Sequence, residues 1–184
     1  MTLEIVQTGD PVLRKVARQL SVEEIKDAST QRLILQMRDT MRAAPGVGLA
    51  APQIGESIQL AVIEDRINYI ADIPDEQLAL RQRSAVDFHV IINPKLTIIG
   101  ESNIEFFEGC LSVEGFAAVV PRGESVRVEC LNERAEPITI NAQGWYARIL
   151  QHEIDHLNGT LYIDRMQTRT FTTVENANRF SNDA

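Results

Sequence analysis

Apolar positions along this 184-residue chain recur with two different periods, one typical of helices and one typical of strands. Between Ser21 and Pro45 the spacing is helical, and Ser-x-x-Glu at residues 21–24 predicts a capped start, so we expect one long helix there. A second helix is predicted from Gly144 to Asn158-Gly159. Shorter helices are predicted after Asp10 and within residues 73–78.

Strands are predicted between these helices. Residues 58–63, 89–92, 96–100 and 125–131 are rich in β-branched residues or alternate between apolar and polar positions. Because the strands run together before the late helix, we expect an α+β fold of mostly antiparallel sheet packed around that central helix. Residues 1–184 read as a single domain, with a polar insertion at about 64–88 and a polar end, residues 176–184, that is predicted to fray.

Composition narrows the functional classes without choosing among them. The net charge of −8 and the lack of a lysine-arginine cluster argue against a DNA partner. No apolar run reaches membrane-spanning length, and residues 1–4 do not begin a signal peptide, so no membrane partner is expected. Two cysteines favour a reducing, cytoplasmic compartment over a disulfide framework.

The second helix carries the most informative chemistry in residues 151–156, Gln-His-Glu-Ile-Asp-His. His152 and His156 are four residues apart and therefore lie on one helix face. Two imidazoles in that arrangement can share a divalent metal, and Glu153 beside them can take a proton from water at the metal. The pattern predicts a hydrolytic metal centre, but not the bond that it cleaves.

A catalytic site of this kind usually takes a third protein ligand. Cys110 is the best candidate, because a thiolate is a strong ligand and Gly109 allows close approach of the backbone. The alternative for Cys110 is a small buried hydrophobic residue. We prefer that alternative for Cys130, and a structural role for His89.

A third segment, residues 46–54, is dense in small residues and contains Gln53. Taken alone it is compatible with a tight turn packed against a helix. The uncharged amide of Gln53, at the end of a proline-containing segment, also suits the stabilisation of an oxyanion.

Together these segments resemble the peptide deformylases. The sequences Gly-Val-Gly-Leu-Ala-Ala-Pro-Gln (46–53), Glu-Gly-Cys-Leu-Ser (108–112) and Gln-His-Glu-Ile-Asp-His-Leu (151–157) match the three motifs of that family in order. The likeness runs from about Asp10 to Arg169. Within the family, the sequence most resembles the plant-organelle and cyanobacterial members. Residues 64–88, 115–116 and 144–150 carry this more specific resemblance.

The resemblance implies an enzyme that removes the formyl group from the N-terminal formyl-methionine of new polypeptides. Cys110, His152 and His156 would bind one divalent metal. Glu153 would act as general base and then as general acid. Gln53 and the backbone N–H of Leu111 would hold the oxyanion.

The methionine side chain needs an apolar pocket. Trp145 and Ile149 lie two turns and one turn before Glu153, so we expect them as walls with Val47 opposite, although plain core packing is an equal alternative for Trp145. Gly46, Val47 and Gly48 are expected to pair with the substrate backbone as an added strand.

The resemblance implies Fe²⁺ as the metal in cells, with Zn²⁺, Ni²⁺ or Co²⁺ as substitutes. It implies formyl-methionyl nascent polypeptides as partners and leaves docking on ribosomes open. We expect a monomer in a bacterial cytoplasm, with a mature organelle protein as the other possibility.

Two positions depart from the family pattern, and one basic residue is hard to assign. Glu114 stands where many members have proline, and Ala117 where many have arginine or tyrosine. These positions put substrate contacts beyond methionine in doubt. Arg148, one turn before His152, has two interpretations, a place near the site and a solvated surface position, and we prefer the surface position.

Two other functions fit the histidine motif. A zinc endopeptidase would draw its third ligand from a downstream histidine or glutamate, and little chain follows Gly159 to supply one. A metal-stabilised binding domain would close its site with a fourth protein ligand, and none is evident.

Overall fold

A computed structural model describes residues 2–180 of the chain. Two helices come first along the chain, and most of the strands follow them. The helix that contains His152 and His156, called the metal-motif helix below, comes late. The helices are α1 (Val22–Lys26), α2 (Ala28–Ala43), α3 (Ile67–Ile70), α4 (Asp75–Arg81), α5 (Gly144–Leu157) and α6 (Val174–Phe180). The strands are β1 (Gly48–Ala50), β2 (Leu60–Asp65), β3 (Val86–Cys110), β4 (Val113–Leu131), β5 (Pro137–Gln143) and β6 (Thr172–Thr173).

The six strands form one sheet in the order β1-β2-β3-β4-β5, with β6 added to β4. Neighbouring strands in this sheet pair antiparallel. The predicted α+β class with mostly antiparallel sheet is confirmed. β1 lies at an edge of the sheet, which leaves one side of that strand without a strand neighbour among the described residues.

The strand β2 shows why the sheet is covered on both faces. Ala61 and Ile63 belong to an apolar cluster that contains the buried side of α5. Leu60 and Val62, which point the other way, belong to a cluster that contains the buried side of α2. A strand buried on both faces reads as a continuous apolar run, which is the pattern of residues 60–63.

Two predicted elements differ from the structure in their extent. The single helix expected from Ser21 is divided at Asp27, which is extended and caps the second helix by accepting from the Ser29 N–H. The strands expected at 89–92 and 96–100 are parts of the long strand β3. That strand continues through Asn93-Pro94 because Asn93 takes a positive φ of 51° at a register shift.

The insertion at 64–88 contains α3 and α4, and side-chain hydrogen bonds near its two ends hold it in place. Arg83 donates to both oxygens of buried Asp65 at 2.7 and 2.9 Å, and Gln82 donates to Glu124 at 2.8 Å. Gly144 begins α5 with φ of 58°, and a Cβ there would lie 2.7 Å from the Arg81 carbonyl oxygen. The insertion therefore packs against the first turn of the metal-motif helix.

The end of the chain was expected to fray from residue 176. Within this segment, residues 176–180 belong to α6, which follows β6 where that strand pairs with Phe116 and Ala117. Residues 181–184 lie outside the described residues. No helix in the described part is long and apolar enough to cross a membrane.

Candidate metal centre

The structure brings Cys110, His152 and His156 together. Cys110 ends β3, and the two histidines project from α5, which packs beside that strand. One potential ligand atom from each residue lies within 4.8 Å of the others, and the Cys110 Sγ is 3.3 Å from the His156 Nε2. Ligands of a tetrahedral zinc-like ion are about 3.5 Å apart for bonds of roughly 2.0–2.3 Å. The spacing and the donor set therefore fit a divalent ion.

The described residues place no fourth histidine, cysteine, aspartate or glutamate in this group. A site with three protein ligands keeps a position for a small molecule, as catalytic centres do and closed structural sites do not. The third member is Cys110, upstream of the helix, and not the downstream histidine or glutamate that an endopeptidase would use.

His152 is oriented by a glutamate that the sequence interpretation missed. The Glu108 Oε2 lies 3.0 Å from the His152 Nδ1. Because a carboxylate only accepts, the proton belongs on Nδ1, which leaves the Nε2 lone pair for a metal. Burial alone would raise the pKa of Glu108, but hydrogen bonds from His152 and Arg122 outweigh it and hold that pKa far below its ordinary range.

Glu108 belongs to a network of ion pairs that is buried around Arg122 and reaches the surface at Arg165. Arg122 donates to both Glu108 oxygens at 2.9 Å and to Asp155 at 2.5 Å. Arg165 donates to both Asp155 oxygens from the other side, at 2.6 and 2.8 Å. The alternation of a strand could have pointed to Glu108, since residues 108 and 110 share one face of β3.

The surface position expected for Arg148 is wrong. Arg148 is only 3% exposed, and its Nη1 lies 2.6 Å from the Glu108 Oε1. One helical turn separates Arg148 from His152, so both side chains reach the same carboxylate. Sequence alone could not reveal this contact, because the partner comes from a different element.

Glu153 contrasts with Glu108 in its surroundings. It is 4% exposed, and its Oε2 is buried with no hydrogen-bond partner among the described residues. Burial raises the pKa of Glu153 to about 7. A Cβ on Gly48 would lie 2.1 Å from the Glu153 Oε1, so the absence of a side chain at residue 48 makes the space that this carboxyl occupies.

Gln53 is 2% exposed, and its amide is fixed in direction. Its Oε1 accepts from the Ala50 N–H at 2.9 Å, which leaves its Nε2 as the group turned toward Cys110 Sγ at 3.5 Å and Ser112 Oγ at 3.3 Å. An amide N–H is thus directed at the edge of the metal group. Leu111, whose backbone N–H is the other predicted donor, lines the same cavity.

A cavity of about 570 Å³ opens beside these groups. Its lining contains every residue that the sequence predicts for the pocket, together with Gln53, Glu153 and the metal group members Cys110 and His152. The predicted pocket residues on its wall are Gly46, Val47, Gly48, Trp145 and Ile149. The insertion supports this wall, because Arg81 and Arg83 stand 5.3 and 5.0 Å from the centre of the Trp145 ring system.

The two departures from the family pattern lie near the rim of the cavity. The Glu114 N–H, which a proline would lack, donates to the Gln7 side chain at 3.2 Å. Ala117 is 6% exposed and pairs with Thr172 of β6. Beside it Phe116 stacks on Phe171 at 5.0 Å. The last part of the described chain therefore covers the position where many relatives place a larger residue.

His89 and Cys130 remain outside the metal group. The His89 Nε2 lies 2.9 Å from the Tyr146 hydroxyl, and Cys130 is in the apolar cluster around α5. Burial raises the pKa of the Cys130 thiol to about 11, so it stays a neutral thiol at pH 7. Both positions agree with the structural roles predicted for them.

Comparison with known proteins agrees with this geometry. A sequence model of the family described as "Polypeptide deformylase" matches residues 2–171. The chain is 50% identical over 173 residues to "Peptide deformylase 1A, chloroplastic" of Solanum lycopersicum, covering 94% of this chain and 62% of that protein. This relative supports the expected likeness to plant-organelle members.

Solved structures share the fold. An actinonin complex of a peptide deformylase from Synechococcus elongatus has a TM-score of 0.75 at 38% identity, covering 91% of this chain and 80% of that one. A Met-Ala-Ser complex of a class I type b peptide deformylase from Acinetobacter baumannii has a TM-score of 0.80 at 31% identity, covering 90% and 99%.

Relatives named for chloroplasts and mitochondria are among the matches. The chain spans 62% and 64% of the lengths of two plant relatives. The matched range, residues 2–171, includes the strand that ends at Cys110, the segment that contains Gln53 and the helix with both histidines. The chain belongs to the polypeptide deformylase family.

Proposed function

We propose that this protein removes the formyl group from the N-terminal formyl-methionine of newly made polypeptides, giving formate and a free methionine amine. The observation that carries the proposal is the grouping of Cys110, His152 and His156 beside a buried carboxyl, Glu153, at the wall of one cavity. Family membership and the Met-Ala-Ser complex of the Acinetobacter relative support the same substrate class.

Cys110, His152 and His156 would hold the ion. A divalent metal bound there supplies Lewis acidity, which polarises a carbonyl and makes water more acidic. Glu153 accepts a proton from the attacking water, whose oxygen bonds to the formyl carbon. Glu153 then delivers that proton to the methionine nitrogen as the C–N bond breaks. A carboxyl whose pKa is raised to about 7 by burial is suited to both transfers near neutral pH.

Negative charge develops on the formyl oxygen during the attack. We assign its stabilisation to the Gln53 Nε2–H and the backbone N–H of Leu111. The Gln53 amide needs no reorganisation, because the Ala50 N–H already holds its oxygen at 2.9 Å. Preorganised donors of this kind act on the transition state more than on the substrate.

The remaining cavity suits a methionyl chain. Trp145, Ile149 and Val47 give an apolar wall for the thioether side chain. The unpaired side of β1, with residues 46–48 leading into it, would pair with the substrate backbone as an additional strand. Gly48 serves two purposes, since the lack of a Cβ also leaves room for Glu153.

We infer Fe²⁺ as the metal in cells, on the strength of family resemblance, with Zn²⁺, Ni²⁺ or Co²⁺ accepted in preparations. A thiolate ligand beside ferrous iron makes the centre sensitive to oxygen and peroxide, because the Cys110 thiolate and the iron can each be oxidised. Iron-loaded protein should lose activity in air while zinc-loaded protein does not. Zinc and iron forms that are equally active and equally stable in air would contradict the assignment.

We further propose that residues 1–184 act as one deformylase domain, as a monomer in a bacterial cytoplasm or a matured organelle protein. Its partners would be formyl-methionyl nascent chains.

The direct test is formate release from formyl-Met-Ala-Ser by protein purified anaerobically and loaded with Fe²⁺. We expect turnover that is abolished by a chelator and restored by the metal. Acetyl-Met-Ala-Ser is the matched control, followed by the appearance of the free methionine amine in place of formate; we expect no deacetylation, because the added methyl group makes the carbonyl carbon bulkier and less reactive than that of a formyl group. Absence of formate from the iron-loaded protein would refute the proposal.

A further inference from the structure

Arg148 occupies a place that the proposed mechanism does not use. It lines the cavity, is 3% exposed and makes three hydrogen bonds. Its Nη1 donates to the Glu108 Oε1 at 2.6 Å and to the Val120 carbonyl at 2.8 Å, while its Nη2 donates to the Ile104 carbonyl at 2.5 Å. Carbonyls of two strands thus hold the guanidinium rigidly against a single carboxylate.

The donors around Glu108 fill the carboxylate completely. Oε1 accepts from Arg122 and Arg148, and Oε2 accepts from Arg122 and His152. A carboxylate has about four acceptor positions, so each one is taken. With Oε1 occupied twice, the only position left for the His152 Nδ1–H is on Oε2.

Arg148 also decides how much negative charge His152 meets. Arg122 is shared, because its Nη1 bonds to Asp155 while its other nitrogens bond to Glu108. Among the residues that the structure describes, Arg148 makes its ion pair with Glu108 alone. Without it, an under-compensated buried carboxylate would draw the Nδ1 proton more strongly and change the electron donation of the imidazole.

We propose that Arg148 is a positioning residue for His152, acting through Glu108 to fix the orientation and donor strength of this imidazole toward the metal. The proposal rests on the metal site of the proposed function. It does not need the substrate to be a formyl peptide.

The test uses the Co²⁺-loaded full chain, whose visible spectrum reports ligand geometry and strength. Arg148→Met removes the charge and the donors at similar length, while Arg148→Lys keeps the charge. We expect R148M to weaken metal binding about tenfold, in the range found for outer partners of metal ligands, to shift the cobalt bands and to lower kcat with little change in KM. R148K should recover the wild-type bands and most of the affinity.

Arg83→Met is the control, since Arg83 pairs with a fully buried carboxylate, Asp65, away from Glu108. It should lower Tm and leave the cobalt spectrum and the metal dissociation constant unchanged. If R148M does not fold, Arg148→Gln, which keeps an N–H donor without the charge, carries the same expectations.

A neutral variant with wild-type cobalt bands and metal affinity, and only a lower Tm, would overturn the proposal, because Arg148 would then be structural. The proposal would also be overturned if R148K matched R148M in its cobalt bands and in its metal affinity. Failure of the wild-type protein to release formate would refute the proposed function while leaving these two measurements to decide the role of Arg148.

Discussion

Glu108 and Glu153 are both buried beside His152, and their surroundings differ in every respect that matters for a carboxyl group. Glu108 accepts four hydrogen bonds, from two arginines and His152. Glu153 has a buried oxygen with no hydrogen-bond partner in the part of the chain that the structure describes, and it lies against the bare Cα of Gly48. Donors hold the pKa of Glu108 far below its usual range against the effect of burial, whereas burial raises that of Glu153 to about 7.

The difference teaches how one site can contain two glutamates with separate tasks. A carboxylate with all acceptor positions filled cannot take up a proton easily, and it serves to orient its neighbours. A carboxyl with a free oxygen and a pKa near neutrality can exchange protons with a reactant. The two regions therefore predict different consequences for equivalent substitutions.

Glu153→Gln should produce the largest loss of activity. It removes the proton acceptor and donor and preserves shape, so turnover of formyl-Met-Ala-Ser should fall about 10²–10⁴-fold. The metal content, measured by atomic emission, should stay at one ion per chain. Glu76→Gln, at an exposed position of α4, is the control and should behave as wild type. Loss of the metal in E153Q would contradict the division of tasks.

Gln53→Ala tests the reactive region without changing charge. Removing one oxyanion donor typically costs about 10²–10³ in turnover, and we expect that loss in kcat with KM nearly unchanged. Gln77→Ala, at an exposed position of α4, is the matched control. Near-normal turnover in steady-state assays of Q53A would show that the oxyanion assignment is wrong.

Glu108→Gln tests the orienting region. The amide cannot accept from both arginines and His152 at once, so metal affinity should fall about 10–100-fold. The measurement is competition with a chelator, accompanied by Tm because the arginines lose their counter-charge. Glu108→Asp retains the charge and should lose less affinity. Unchanged metal binding in E108Q would remove the reason for treating Glu108 and Glu153 differently.

Arg42→Met should have the smallest effect, because it breaks a bidentate pair with Glu64 that lies outside the cavity lining. The hydrogen bond from Arg42 lowers the pKa of Glu64, so this pair stabilises the fold above the unfolded pKa of Glu64 and loses its effect as pH falls through the folded value. Since the Arg42 side chain is 36% exposed, we expect a loss of about 0.5 kcal/mol in the free energy of unfolding at pH 7.

Urea unfolding at pH 7 and at pH 3 measures this difference, which should shrink at the lower pH. Formate release should be unaffected by R42M. A change in turnover would mean that a carboxylate paired with arginine, such as Glu64, affects the metal centre even when it lies outside the ion-pair network of Glu108.

Much of the fold was predictable because periodicity is a local property. Residues 60–63 and the helix that contains the histidines follow their patterns directly. The break at Asp27 was missed because Asp27 both ends one helix and caps the next, within a sequence whose apolar spacing continues. The union of two strands in β3 was missed because Asn93-Pro94 normally indicates a turn.

The sequence by itself determined which residues are candidates for the site, since Cys110, His152, His156, Glu153 and Gln53 stand in short motifs whose chemistry depends on residue type and local spacing. Only the tertiary structure decided what surrounds each of them. Arg148 was misplaced and Glu108 was overlooked because their partners come from β3, β4 and α5, which are distant along the chain. The pKa of a carboxyl group follows from such neighbours and from burial, and neither can be read from adjacent residues.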